Sequence, residues 1–85
     1  MIGSQTTVTT SPTLLVDSDS THRNIVVHAV GNGIVYLGSS AVTSSTGFYI
    51  DKAAGAIPIT LPSNEKLYGI TASGTQLVTV LTPDP

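Results

Sequence analysis

The chain has 85 residues, of which three are basic and five acidic, with no cysteine and a net charge of −2 at neutral pH. So short a chain has too little interior to divide between two cores, which leaves one domain. Without cysteine there are no disulfides and no thiolate metal sites, and Arg23, Lys52 and Lys66 lie too far apart in sequence to form a basic stripe for nucleic acid.

Met1 to Ser11 is polar and threonine-rich, with apolar side chains only at Ile2 and Val8, too few to anchor a buried strand. The β-branched run Thr6-Thr7-Val8-Thr9-Thr10 favours extended backbone, so residues 1–11 read as an extended N-terminal arm, loose or held by a neighbour. Residues 12–85 read as the folded domain. Pro12 to Val16 is its first strand, ended by Asp17-Ser18-Asp19-Ser20, whose short polar side chains compete for backbone hydrogen bonds and favour a turn. Asn24 to Val30 is a second strand, apolar on both faces except at His28, as in a strand central to a sandwich or covered by another subunit. Gly31-Asn32-Gly33 is a hairpin signal, so Ile34 to Leu37 is expected to return antiparallel to Asn24 to Val30.

Ala41-Val42-Thr43 reads as a short edge piece, and Phe48-Tyr49-Ile50 as a strand after the Ser44-Ser45-Thr46-Gly47 loop. Asp51 to Ala56 is a loop whose helix-like pattern lasts little more than a turn before Gly55 interrupts it. Ile57 to Leu61 carries Pro58, which lacks an N–H and places the strand at an edge or a strand start. After Pro62-Ser63-Asn64 turns the chain, Leu67 to Thr71 and Gln76 to Leu81, joined by Ala72-Ser73-Gly74-Thr75, read as a closing hairpin. About seven short strands separated by Gly, Ser, Asn and Pro turns make an all-β fold, a small antiparallel β-sandwich or barrel.

A chain of this size hides only about 60 to 65% of its unfolded surface, so a lone copy is marginal and oligomerisation is the expected remedy. No apolar run approaches the ~20 residues of a membrane helix, and Met1-Ile2-Gly3-Ser4 lacks the pattern of a signal peptide, so a soluble protein made in a cytoplasm is expected.

Candidate chemistry is sparse. Leu14-Leu15-Val16-Asp17-Ser18-Asp19-Ser20-Thr21 resembles the strand-then-DxDxT motif of haloacid-dehalogenase-like phosphotransferases, where the first aspartate is nucleophile and the second a general acid/base. That family needs a parallel sheet flanked by helices, and the segments after Thr21 read as strand after strand, so an Asp/Ser turn is the favoured reading. Read as a calcium loop, the same segment has His22 and His28 where Gly and Glu are required. No Gly-x-Ser-x-Gly elbow accompanies the Ser, His and Asp residues, and Gly31-Asn32-Gly33 lacks the third glycine and helix of a dinucleotide loop. His28 reads as a buried or interface histidine, His22 and Arg23 as a solvated loop. Tyr36, Tyr49, Tyr68 and Phe48 are the only aromatics, and their strand positions favour core or interface packing over a sugar-stacking surface. No enzyme activity, cofactor or metal is expected.

The run Asn24 to Gly38, then Val42-Thr43 and Thr46-Gly47-Phe48, then Leu67 to Thr75 with Val78-Thr79-Val80-Leu81, resembles small β-sandwich virion proteins of tailed bacteriophages. The resemblance implies a capsid decoration protein on the outer surface of the virion shell, a trimer bridging neighbouring subunits of the major capsid protein. A low-charge surface suits wide interfaces, because unpaired charges are expensive to bury. In this reading Ile2, Gln5, Thr7 and Val8 of the arm are candidate capsid contacts by strand addition, and Phe48 and Tyr49 a candidate interface. The competing expectation is a receptor- or glycan-binding module of a phage tail or fibre, using the Ser39 to Tyr49 region.

Overall fold

The computed structural model describes residues 2–83; Met1, Asp84 and Pro85, the outer ends of the expected arm and domain, lie outside the described residues. Eight strands are present: β1 (Ile2–Val8), β2 (Thr13–Val16), β3 (Arg23–Ala29), β4 (Val35–Gly38), β5 (Phe48–Ile50), β6 (Ile57–Leu61), β7 (Leu67–Ile70) and β8 (Gln76–Thr82). A single 3-10 turn, Lys52–Ala54, precedes β6, capped by the Asp51 side chain, which accepts from the Ala54 N–H at 2.9 Å. No helix among the described residues is long and apolar enough to cross a membrane.

The strands form two antiparallel four-stranded sheets, β1-β8-β3-β6 and β2-β7-β4-β5. First pairs with last, second with seventh, third with sixth and fourth with fifth. That nesting is what results when one long antiparallel ribbon is rolled on itself, and it defines a jelly roll. Alternation then sorts side chains. In β3, Ile25, Val27 and Ala29 face inward and are buried, while Val26 and His28 lie half-buried on the outer face. A bulge between Leu14 and Val16 turns two successive residues, Leu15 and Val16, toward the core. The two sheets meet in one cluster that includes Val8, Leu15, Ile25, Val27, Val35, Ile50, Val78 and Val80. Gly69 permits that approach, since a Cβ there would stand 3.0 Å from Leu15 Cδ1 and 3.4 Å from Val8 Cγ2 and Val35 Cγ1.

Four expectations need correction. Residues 2–8 are extended, but they are held by their own chain: β1 pairs with β8 from Ile2↔Thr82 to Val8↔Gln76, and Val8 is fully buried. One well-placed valine and a full ladder of backbone hydrogen bonds anchor a strand that its polar composition did not recommend. Second, β4 does not return against β3. Both edges of β3 are taken by β6 and β8, and Gly31-Asn32-Gly33 carries the chain to the other sheet without any positive φ. Its glycines serve the Gln76 side chain, whose Oε1 accepts from the Gly33 N–H at 3.1 Å; a Cβ on Gly31 or Gly33 would fall on the Gln76 amide. Third, β7 and β8 belong to different sheets, so Ala72 to Thr75 is a corner, with Gly74 at φ 68° and the buried Thr71 hydroxyl donating to the Gly74 carbonyl at 3.0 Å. Fourth, Ala41-Val42-Thr43 is a turn, tied by Val42 N–H to Ser39 O at 3.0 Å. The expected edge position of the Pro58 strand is observed, for β6 closes its sheet.

Candidate functional site

All three tyrosines share one surface, the outer face of the β2-β7-β4-β5 sheet. Because Val35, Leu37 and Leu67 point inward, Tyr36 and Tyr68 must point outward, and the register sets Tyr36 opposite Tyr49 and Tyr68 opposite Leu14. The Tyr36 and Tyr49 rings meet edge to face, with centroids 6.5 Å apart and planes at 60°. Tyr49 is 65% exposed and Leu14 41%, whereas Tyr36 and Tyr68 are half-buried.

The Ser39 to Gly47 loop folds onto this face and fixes its shape. Val42 is buried apart from the main core, in the place where a Cβ on Gly38 would come within 3.0 Å of Val42 Cγ2. Gly47 lies so close to Tyr36 Cβ that an added Cβ would approach it to 2.6 Å. The Thr43 and Thr46 hydroxyls bond each other at 2.9 Å, and Gly47 N–H donates to Thr43 O at 2.9 Å. Val42, Thr43, Thr46 and Gly47, which helped carry the phage resemblance, thus act architecturally, holding a hydrogen-bonded rim beside the tyrosines.

Phe48 and Tyr49 do not form one patch. Adjacent residues of a strand point to opposite faces, so Phe48, also 65% exposed, stands at the open flank of the sandwich. There it borders an apolar depression with Leu37, Ile57, Ile59 and Leu67. Of the proposed arm contacts, Gln5 and Thr7 are exposed on the outer face of the other sheet, and Ile2, 45% exposed, faces the core side beyond the covered region. Val8 is withdrawn from any partner by its burial, which corrects its candidacy as a capsid contact.

Charge is confined to the ends and loops. Among the described strands, no outward position of either sheet carries Asp, Glu, Lys or Arg. Asp17 and Asp19 are engaged in a turn: Asp17 Oδ1 accepts from Ser18 N–H at 2.7 Å, Asp19 Oδ1 from Thr21 N–H at 3.3 Å, and Asp19 O from Asn64 N–H at 2.7 Å. Arg23 Nη2 donates to Asp17 O at 2.8 Å, and Lys66 lies 3.8 Å from Asp17 Oδ1. The sheet beside this turn is antiparallel, unlike the parallel sheet that a phosphotransferase of the DxDxT type requires. Tyr36 and Tyr68 do not stand out as site residues in the sequence, although the alternation Val35-Tyr36-Leu37 and Leu67-Tyr68-Gly69 carries the signal.

Comparison with known proteins returned no matching family model, no similar characterised protein and no matching solved structure.

Proposed function

We propose that this chain is a non-enzymatic virion structural protein of the capsid-decoration type, a homo-oligomer that bridges major capsid protein subunits on the outer surface of a phage head. The observation that carries the reading is the tyrosine face formed by Leu14, Tyr36, Tyr49 and Tyr68, whose outward strand positions carry no charge, beside a hydrogen-bonded loop. Tyrosine brings large contact area, a polar tip and few rotamers to freeze, which makes it a frequent anchor of protein interfaces. The outward strand positions of the face are covered without stranding charge, with Glu65 and Lys66 standing at the rim beside Tyr68. Jelly rolls serve viral capsid and lectin domains alike, so the architecture supports the reading by analogy alone.

The test is reconstitution. Shells stripped of the protein are expected to rebind it and to withstand higher temperature afterwards, with density over the tyrosine face in images of the particles. A protein found only on tails, or shells indifferent to it, overturns the reading. The exposure of Tyr49 beside the Ser39 to Gly47 loop favours one second reading, a glycan- or receptor-binding module. In that case Tyr49→Ala abolishes binding to cells or sugars while shells remain unbound.

A further inference from the structure

We propose that the free edge of β1 is a self-association site, where a second copy of this chain adds its own β1 antiparallel across a two-fold axis. Each sheet ends in two edges, and three of the four are blunted. β6 carries Pro58, which has no N–H to offer; β2 has four residues and a bulge; β5 has three residues. β1 is different. It runs seven residues, Ile2-Gly3-Ser4-Gln5-Thr6-Thr7-Val8, with no proline, charge or break in its pairing, and so presents an open row of backbone donors and acceptors.

The occupant is read from the strand itself. A two-fold axis brings a strand against its own reversed copy, and the register centred on Gln5 sets Ser4 opposite Thr6, Gly3 opposite Thr7 and Ile2 opposite Val8. Core-facing side chains of β1 pass from exposed at Ile2 and Ser4, through half-buried at Thr6, to fully buried at Val8. In this register the exposed half of each strand lies beside the buried half of the other, so the apolar Ile2 meets the rim of the second copy's core. Ser4 and Thr6 form a hydroxyl pair of the kind that stabilises antiparallel ladders, and the two Gln5 amides, each a donor and an acceptor, bond reciprocally on the axis. An isologous contact makes each pairing twice and sets only the axial residue against its own copy, which the neutral Gln5 tolerates and a charged residue does not. The product is a continuous sheet of eight strands, β6-β3-β8-β1 followed by the same four in reverse. It leaves the tyrosine face, on the opposite sheet, untouched.

Sedimentation of the full chain from about 1 to 100 µM is expected to show a monomer–dimer equilibrium, a range that spans micromolar dissociation constants. Gln5→Lys and Gln5→Glu, each placing like charges on the axis, weaken association about fivefold. An equimolar mixture of the two variants restores it, and circular dichroism confirms that both remain folded. In this cysteine-free chain, Gln5→Cys forms a disulfide-linked dimer on mild oxidation, because directly opposed strand residues have Cα atoms about 4.5 to 5.5 Å apart. Thr7→Cys, equally exposed but opposite Gly3, does not. A strictly monomeric chain, an assembly indifferent to Gln5→Lys, or equal cross-linking of the two cysteine variants overturns the proposal. The equilibrium and the cross-linking are read on the free chain without shells, which separates this contact from the proposed function.

Discussion

Val8→Ala tests whether the N-terminal segment belongs to the fold. Val8 is fully buried, and its Cγ2 comes within 3.4 Å of where a Cβ on Gly69 of the facing sheet would stand. Removing two buried carbons forfeits about 1.6 kcal/mol of transfer free energy, at about 0.8 kcal/mol per methylene. A residual cavity of up to about 50 Å³ adds up to about 1 kcal/mol. The total, about 2 to 3 kcal/mol, lowers the melting temperature of a domain this size by about 11 to 17 °C. That is a large share of the roughly 4 to 13 kcal/mol expected for 85 residues. Thermal denaturation followed by circular dichroism measures it, with Thr7→Ala, exposed on the outer face, as a control expected to cost under about 0.5 kcal/mol. Val8→Ala melting within about 2 °C of the parent would refute the reasoning and return residues 2–8 to the status of a detached arm.

Other substitutions probe the remaining contacts. Gly33→Ala forces the Gln76 amide from its place and orphans a backbone N–H, for an expected loss of about 1 to 3 kcal/mol in urea denaturation; the loss shrinks by about 1 kcal/mol when Gln76 is already alanine. Gly47→Ala drives a methyl to 2.6 Å from Tyr36 Cβ and 2.9 Å from Val42 Cγ2, and is expected to cost about 1 to 3 kcal/mol and to shift the Tyr36 and Tyr49 ring resonances. Asp17→Asn removes only a solvent-exposed ion pair to Lys66 and should change stability by less than about 0.5 kcal/mol.

Much of the architecture is legible in the sequence because strand periodicity and turn chemistry are local. The positions of β2 to β8 follow from runs of β-branched residues between Gly, Pro and Ser breaks, and Pro58 announces an edge through its missing donor. Strand partnership is not legible. A turn such as Gly31-Asn32-Gly33 or Ala72 to Thr75 reverses the chain equally well within one sheet or between two, and only the competition for β3 and β8 edges decides which. Those glycines report close approach by Gln76, forty-three residues or more away in sequence, which no local pattern contains. The β1 strand escapes a local reading because its only deeply buried side chain is Val8, the rest of its anchorage being backbone hydrogen bonds to β8. The tyrosine face is half legible: alternation places Tyr36 and Tyr68 opposite the core residues beside them, but that they share a sheet with Tyr49 depends on the roll.

The most direct measurement is a titration of protein-stripped phage shells with the parent chain and with Tyr49→Asp, which sets a charge at the exposed edge-strand position of the tyrosine face. A folded variant with shell affinity lowered at least about tenfold, the penalty of burying an unpaired carboxylate, is the expected result. Undiminished binding by a folded Tyr49→Asp protein would contradict the claim that this chain acts through its tyrosine surface.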